Sequence, residues 1–365
     1  MKDHVRLFFL TSAILWAACS GTAGVGAGHD VIVAVDQRDR SVVMMDSGVG
    51  AAKEFICKWT PDCDPNIREQ DRINFKNVSD CKVRDGGRTV LVCASYGGFA
   101  AIDVATKRAK LQGCATRRGG GPHAVERLPD GRIAIANSVG VDALEIFDVS
   151  AAPLIPEEQR RVFSYEVVGA HGVVWDDKRS SLFVLGQTNL YEFAYSHESG
   201  MVEPKKILDI MPCCGDEFGH DLVPDGKGGY FLSNDTAVWN LDPDCGAFRQ
   251  VWSDRYVKGF DRSSEGDLLT IPRERWWTDR LVVRKDGHER TVGPFPGSRF
   301  YKARWYCFHP DAVVPSNALA SPKRNVGGSS GFDFVGSDPC GGDGFGRETA
   351  GKAICLNSHC KGDAR

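Results

Sequence analysis

A chain of 365 residues is too long for one ordinary hydrophobic core, so it is expected to fold as two or three domains or as an array of small repeated units. Hydrophobic residues make up 42% and charged residues 25%, with a net charge of -3, which excludes a disordered composition and the basic excess of a nucleic-acid binder. Recognition by charge must therefore be local.

Residues 1–22 carry Lys2 and Arg6, then an apolar stretch from Leu7 to Ala18, then small residues from Ser20 to Gly28. This is the order of a secretory signal peptide cleaved between residues 19 and 28. A lipoprotein reading would acylate Cys19 instead, with Trp16 standing where Leu is usual. No later segment approaches the ~20 apolar residues of a membrane span, so the mature chain is expected to be secreted, without a membrane span, and monomeric. Thirteen cysteines become an even set once Cys19 leaves, and an even set in an exported chain favours disulfides. Local candidates are Cys57 with Cys63, and pairings among Cys340, Cys355 and Cys360; vicinal Cys213 and Cys214 are expected to take separate partners. Asn77-Val78-Ser79 and Asn234-Asp235-Thr236 are glycosylation sequons.

From residue 29 onward one pattern recurs: a polar residue, a short stretch, a Gly/Asp turn, then an apolar β-type run. Lys82 leads to Gly86-Gly87 and Thr89–Val92; His123 to Asp130-Gly131 and Arg132–Ala136; His171 to Asp176-Asp177 and Ser181–Leu185. His220 leads to Asp225-Gly226 and Gly229–Leu232, and Lys258 to Glu265-Gly266 and Leu268–Ile271. With Asp36 before and Lys302 after, the markers step by 46, 41, 48, 49, 38 and 44 residues. Each step has room for about four strands of five to six residues, the content of one propeller blade. The predicted fold is thus all-β, a seven-bladed β-propeller over residues 29–315; a six-bladed ring would require the marker at 36 or 258 to be spurious. Residues 316–365 are Gly- and Cys-rich without strand rhythm and are expected to form an irregular, disulfide-rich C-terminal tail.

In a propeller the innermost strand of each blade lines the axis, so residues at one repeat phase converge in space. The predicted ring holds Asp36, Lys82, His123, His171, His220, Lys258 and Lys302, with Arg304 close behind. Three histidines among several cations predict a positive mouth selecting an anionic ligand, because a narrow low-dielectric opening focuses the field. A carboxylated sugar fits, with Trp276, Trp277, Tyr301 and Trp305 as aromatic neighbours. The histidines suit either general acid/base chemistry or, as three neutral imidazoles, a divalent metal; no other cofactor is indicated.

In Val35-Asp36-Gln37, Ser79-Asp80-Cys81-Lys82, Pro122-His123, Gly169-Ala170-His171-Gly172, Gly219-His220-Asp221-Leu222, Trp276-Trp277-Thr278-Asp279 and Tyr301-Lys302-Ala303-Arg304-Trp305, the chain resembles a family. It is that of the secreted propeller lyases that cleave rhamnosyl-glucuronate ends of gum arabic and arabinogalactan side chains. The resemblance implies a polysaccharide lyase acting by β-elimination, with His123 as the catalytic acid/base. His171 and His220 would then shape the site, and Lys82, Lys258, Lys302 and Arg304 would bind the uronate carboxylate. The alternative from another class is a non-catalytic extracellular propeller that holds acidic glycans or proteins in the same ring.

Overall fold

The computed structural model describes residues 31–48, 54–115, 121–138, 140–150, 160–210, 219–254, 256–272 and 277–306. The expected signal peptide, the vicinal Cys213 and Cys214, Trp276 and the tail from residue 316 lie outside them. Runs of Val, Ile, Leu and Phe broken by Gly and Asp turns favour pleated, half-buried backbone. The first such runs, β1 (Val31–Asp36), β2 (Ser41–Asp46) and β3 (Cys57–Trp59), pair in succession. Then follow β4 (Val78–Arg84), β5 (Thr89–Ala94), β6 (Gly98–Asp103) and β7 (Arg108–Cys114), and β8 (Pro122–Arg127), β9 (Ile133–Asn137), β10 (Ala143–Asp148) and β11 (Arg160–Glu166). The next sheet is β12 (Gly172–Asp176), β13 (Ser181–Leu185), β14 (Asn189–Tyr195) and β15 (Val202–Asp209). After it come β16 (Gly219–Pro224), β17 (Tyr230–Asn234), β18 (Val238–Asp242) and β19 (Ala247–Trp252), then β20 (Gly259–Arg262), β21 (Leu268–Ile271), β22 (Leu281–Lys285) and β23 (His288–Val292). The last described strand, β24 (Phe300–Tyr306), returns to pair with β1.

Among the described residues these strands form six antiparallel four-stranded sheets, the first in the order β24-β1-β2-β3 and the others in chain order. The strands β4, β8, β12, β16, β20 and β24 each touch the next, and β24 touches β4, so the innermost strands close a ring. The protein is a six-bladed β-propeller, not the seven-bladed one predicted from the spacing. The reason is the closure: β24 is the inner strand of the blade that β1 to β3 complete, so the markers Asp36 and Lys302 belong to one blade. Asp36 sits on the second strand, where its Oδ1 accepts the backbone N–H groups of Arg38 (3.0 Å) and Arg299 (2.8 Å). It caps a turn and is not a ring residue.

The hydrophobic core lies between blades rather than on the axis. Six buried clusters each join two neighbouring blades: Val35, Val78 and Val92 in one, Ile32, Leu281 and Ala303 in another. Leu144 with Leu182, Leu91 with Ile135, Leu185 with Leu232, and Val238 with Phe260 mark the other four. Aromatic pairs reinforce three seams, Phe99 with Phe147, Phe183 with Tyr230 and Phe231 with Phe260. Each fully buried large side chain contributes about 1.5–3 kcal/mol, and the distribution leaves the axis free for polar groups.

Two expectations about modification change here. Cys63 carries an exposed free thiol, so the bridge to Cys57 does not form; Cys57 is committed to β3 opposite Met44, while Cys63 sits in a turn on the Thr60 carbonyl. Asn234 is fully buried, its Oδ1 accepting from the N–H groups of Thr236 and Ala237, so the second sequon offers no amide to a glycan on the folded chain. No helix among the described residues is long and apolar enough to cross a membrane.

Candidate functional site

Lys82, His220 and Lys302 stand on innermost strands, His123 near the start of its own, and His171 and Lys258 one residue before theirs. At one mouth of the shaft the strand pairing is interrupted: β8 skips His123 between its pairs Pro122↔Asn137 and Ala124↔Ala136, and β16 skips His220 between Gly219↔Asn234 and Asp221↔Ser233. Such bulges re-aim a side chain that regular alternation would turn elsewhere. His171 needs no bulge because it precedes β12. The three imidazoles consequently meet, with ring centroids 4.3 Å apart for His123 and His171 and 5.8 Å for His171 and His220. The ring of Tyr301 lies 6.1 Å from that of His123.

The tautomers of two of these rings follow from their partners. His123 Nδ1 lies 2.6 Å from the carbonyl of Gly121 and 2.8 Å from Ser138 Oγ, and His171 Nδ1 lies 2.8 Å from the carbonyl of Gly169. A carbonyl only accepts, so each Nδ1 carries the proton and each Nε2 of the neutral ring is a bare lone pair. Neither Nε2 has a hydrogen-bonding partner among the described residues. Gly121 and Gly169 have φ of 64° and 62°, a left-handed backbone that turns the carbonyl back onto the histidine two residues later. Burial is the main reason these rings stay neutral, and the positive charges of Lys302 and Lys258 add to it for His123, whose pKa falls to about 3. His171 is also held well below the usual histidine value, first by burial and then by the other two histidines.

His220 is built differently. Its Nε2 lies 2.5 Å from Asp235 Oδ1, and Lys258 Nζ lies 3.1 Å from Nδ1 and 2.9 Å from Nε2. With the proton on Nε2 facing the carboxylate, the Lys258 ammonium donates to Nδ1, which orders carboxylate, imidazole and ammonium in one chain. Burial lowers the His220 pKa to about 4, Asp235 opposing and Lys258 assisting. The histidine tier therefore takes its positive charge from lysine, not from the histidines.

Below the histidines the shaft is filled by ion pairs. Lys302, wholly buried, donates to the carbonyls of His123 (2.9 Å) and His171 (3.1 Å) and pairs with Asp221 at 3.2 Å. Arg304 holds both oxygens of Asp221 at 2.7 and 2.8 Å and reaches Asp80 at 3.0 Å. Lys82 crosses to the carbonyl of Val173 and pairs with Glu126 at 3.3 Å, and Arg84 grips the same carboxylate. Burial works to raise the Glu126 pKa, but Arg84 and Lys82 overcome it and hold it at about 2. Lys82, Lys302 and Arg304 thus have buried carboxylate partners, and Lys258, also buried, contacts His220. At the far end of the shaft a cleft opens between Lys82, Arg84, Asp261, Arg304 and the apolar Val174, Leu222 and Trp305.

Among the described residues no group of three or more His, Cys, Asp and Glu side chains is placed to hold a metal ion. Trp277 and Trp305 spend their N–H groups on Gln37 and on the Asp267 carbonyl, so both serve the scaffold. Sequence reasoning passed over Asp80, Glu126 and Asp221, the counter-ions of the shaft, and Asp235 and Ser138, the partners of the histidines. The recurring Gly-x-His of Gly121-Pro122-His123 and Gly169-Ala170-His171 was the available signal for the tautomers.

A family model described as a family of unknown function, DUF6528, matches residues 18–312. No curated protein matches the sequence. Among solved structures, a protein of unknown function from Bacteroides caccae is 10% identical with a TM-score of 0.52, over 76% of this chain and 99% of that one. A protein from Lactobacillus plantarum is 13% identical with a TM-score of 0.50, over the same shares of the two chains, 76% and 99%. Dihydro-heme d1 dehydrogenase NirN is 14% identical with a TM-score of 0.42, over 72% of this chain and 53% of that one, so the present chain spans about half its length. For the Bacteroides caccae and Lactobacillus plantarum proteins the likeness at these identities is one of fold.

Proposed function

This chain belongs to the DUF6528 family, and we propose that it is an extracellular lyase that cleaves a uronate-containing glycan by β-elimination, with rhamnosyl-glucuronate ends as its substrate class. The observation that carries the proposal is the Nε2 of His123, a lone pair without a hydrogen-bonding partner among the described residues, on a ring kept neutral by burial and by the charges of Lys302 and Lys258. A proton at C5 of a uronate is too weakly acidic to leave until a cation neutralises the adjacent carboxylate. Lys258 is the ammonium at the histidine tier that would meet that carboxylate. His123 Nε2 then takes the C5 proton, the C–H electrons form the C4–C5 double bond, and the C4–O4 bond breaks. The departing O4 takes the proton back from the imidazolium when both lie on one face, so one residue serves as base and then acid. Such a group contributes roughly 10²–10⁴-fold.

Lys82, Lys302 and Arg304, expected to bind the carboxylate, enter this reading as scaffold because buried carboxylates and carbonyls already satisfy them. His171 and His220 shape the pocket wall. The test is an assay for an ultraviolet-absorbing unsaturated uronate formed on gum arabic or arabinogalactan, with rhamnose as the sugar that leaves. Product with the native protein and none with His123→Ala supports the proposal, and no product across a panel of uronate glycans overturns it. A second reading is a non-catalytic propeller that holds acidic glycans at the same ring. It predicts calorimetric binding of the same glycans without turnover.

A further inference from the structure

The most unusual contact of the shaft is made by a residue that touches no solvent. Lys302 belongs to β24, the strand that closes the ring, yet its ammonium reaches across the axis to three other blades: it donates to the His123 carbonyl at 2.9 Å and the His171 carbonyl at 3.1 Å and pairs with Asp221 Oδ1 at 3.2 Å. The two carbonyls belong to the very residues whose imidazoles present bare Nε2 atoms. His123 sits on a bulge, where no ladder partner fixes its backbone, so a bond to its own carbonyl is an efficient place to set its orientation. Asp221 neutralises the ammonium while Arg304 holds both oxygens of Asp221 in place.

We propose that Lys302 is the positioning residue of the histidine mouth: it locks the backbones of His123 and His171 from beneath so that both Nε2 lone pairs converge on one bound group. It is not a ligand for that group. The assignment of a catalytic purpose to this convergence rests on the lyase reading, but the locking itself does not. Within the same arrangement the buried ammonium faces the two imidazoles together with Lys258 and His220, and so also disfavours their protonation.

The experiment uses the full-length protein with Lys302→Met, and with Lys302→Met combined with Asp221→Asn, which removes the cation and its nearest anion together. Histidine ring resonances are followed by nitrogen-15 NMR as a function of pH. The expected result is that His123 titrates higher than its native value of about 3 and that His123 and His171 lose the fixed Nδ1–H tautomer. If a lyase assay has succeeded, kcat falls about 10²-fold with a smaller change in KM, and Lys302→Arg, which keeps charge and donors, recovers part of it. Unchanged histidine titrations and tautomers in a folded variant overturn the proposal. Failure of both variants to fold also overturns it, because Lys302 would then belong to the fold rather than to the site. The NMR result is read without substrate, so an inactive native protein would refute the lyase reading and leave this test standing.

Discussion

His123 and His171 stand on neighbouring blades with ring centroids 4.3 Å apart, each holding its Nδ1 proton against the carbonyl of a left-handed glycine two residues earlier. Two buried neutral imidazoles in contact make a site that resists protonation, and this has a measurable cost to the fold in acid. In the unfolded chain all three histidines titrate near 6.5, whereas burial takes folded His123 to about 3, His220 to about 4 and His171 well below the usual value. As pH falls from about 6.5 toward 4 the unfolded state gains protons that the folded state refuses, so stability declines over that window. Asp261, raised to about 6 by burial, acts in the opposite sense, gaining stability as pH falls. The urea midpoint of the native protein is expected to drop between pH 6.5 and 4, and that of His123→Gln to drop less; equal slopes would contradict the burial argument.

Gly169 combines a φ of +62° with a Cβ position only 2.8 Å from Gln187 Cβ, whereas Gly226, at +74°, has nothing within 4 Å. Gly169→Ala is therefore expected to cost more than the ~1–2 kcal/mol of a left-handed alanine, and Gly226→Ala about that amount. Denaturant unfolding of the two variants checks the order. A His171 tautomer change in Gly169→Ala alone would show that the carbonyl sets the ring.

Removing Arg304 takes from Asp80 its ion-pair partner and leaves Asp221 with Lys302 alone. Arg304→Met should destabilise by about 3–5 kcal/mol, the cost of leaving buried charge uncompensated. Adding Asp80→Asn should recover part of the loss, since the carboxylate left without its cation disappears. A double variant no more stable than the single one would argue against the pairing.

Lys258 bears on both binding and protonation. In Lys258→Met the His220 pKa should rise from about 4, since the lysine charge assists its depression, and affinity for a uronate oligosaccharide should weaken several-fold with neutral sugars unaffected. Calorimetry with matched acidic and neutral oligosaccharides, at pH 7, distinguishes the two contributions.

How much of this was legible in the chain can be judged residue by residue. Lys82, His123, His171, His220, Lys258 and Lys302 mark the inner strands of all six blades because each precedes the same turn and apolar run. Asp36 obeys the same grammar, since every hairpin in such a sheet has a polar residue, a turn and an apolar return. Sequence spacing counts strands but does not say which lies nearest the axis, and β1 turned out to be second in a blade whose first strand comes last. The convergence of three histidines followed from repeat phase. The fate of Lys82, Lys302 and Arg304 did not, because their partners sit far along the chain, 44 residues away for Glu126, 83 for Asp221 from Arg304 and 224 for Asp80. Bulges were equally hidden: one unpaired residue in β8 leaves no mark on composition, yet it aims His123.

The pairing of β24 with β1 means that the histidine-bearing blades leave the ribosome well before the strand that finishes the circle. Until translation reaches that strand, the nascent polypeptide has three imidazoles but neither the cross-axis lysine nor the arginine clasp. Support of the histidine cluster is thereby tied to synthesis of that strand, and a product cut short before Phe300 would lose that support and its circular integrity in the same event.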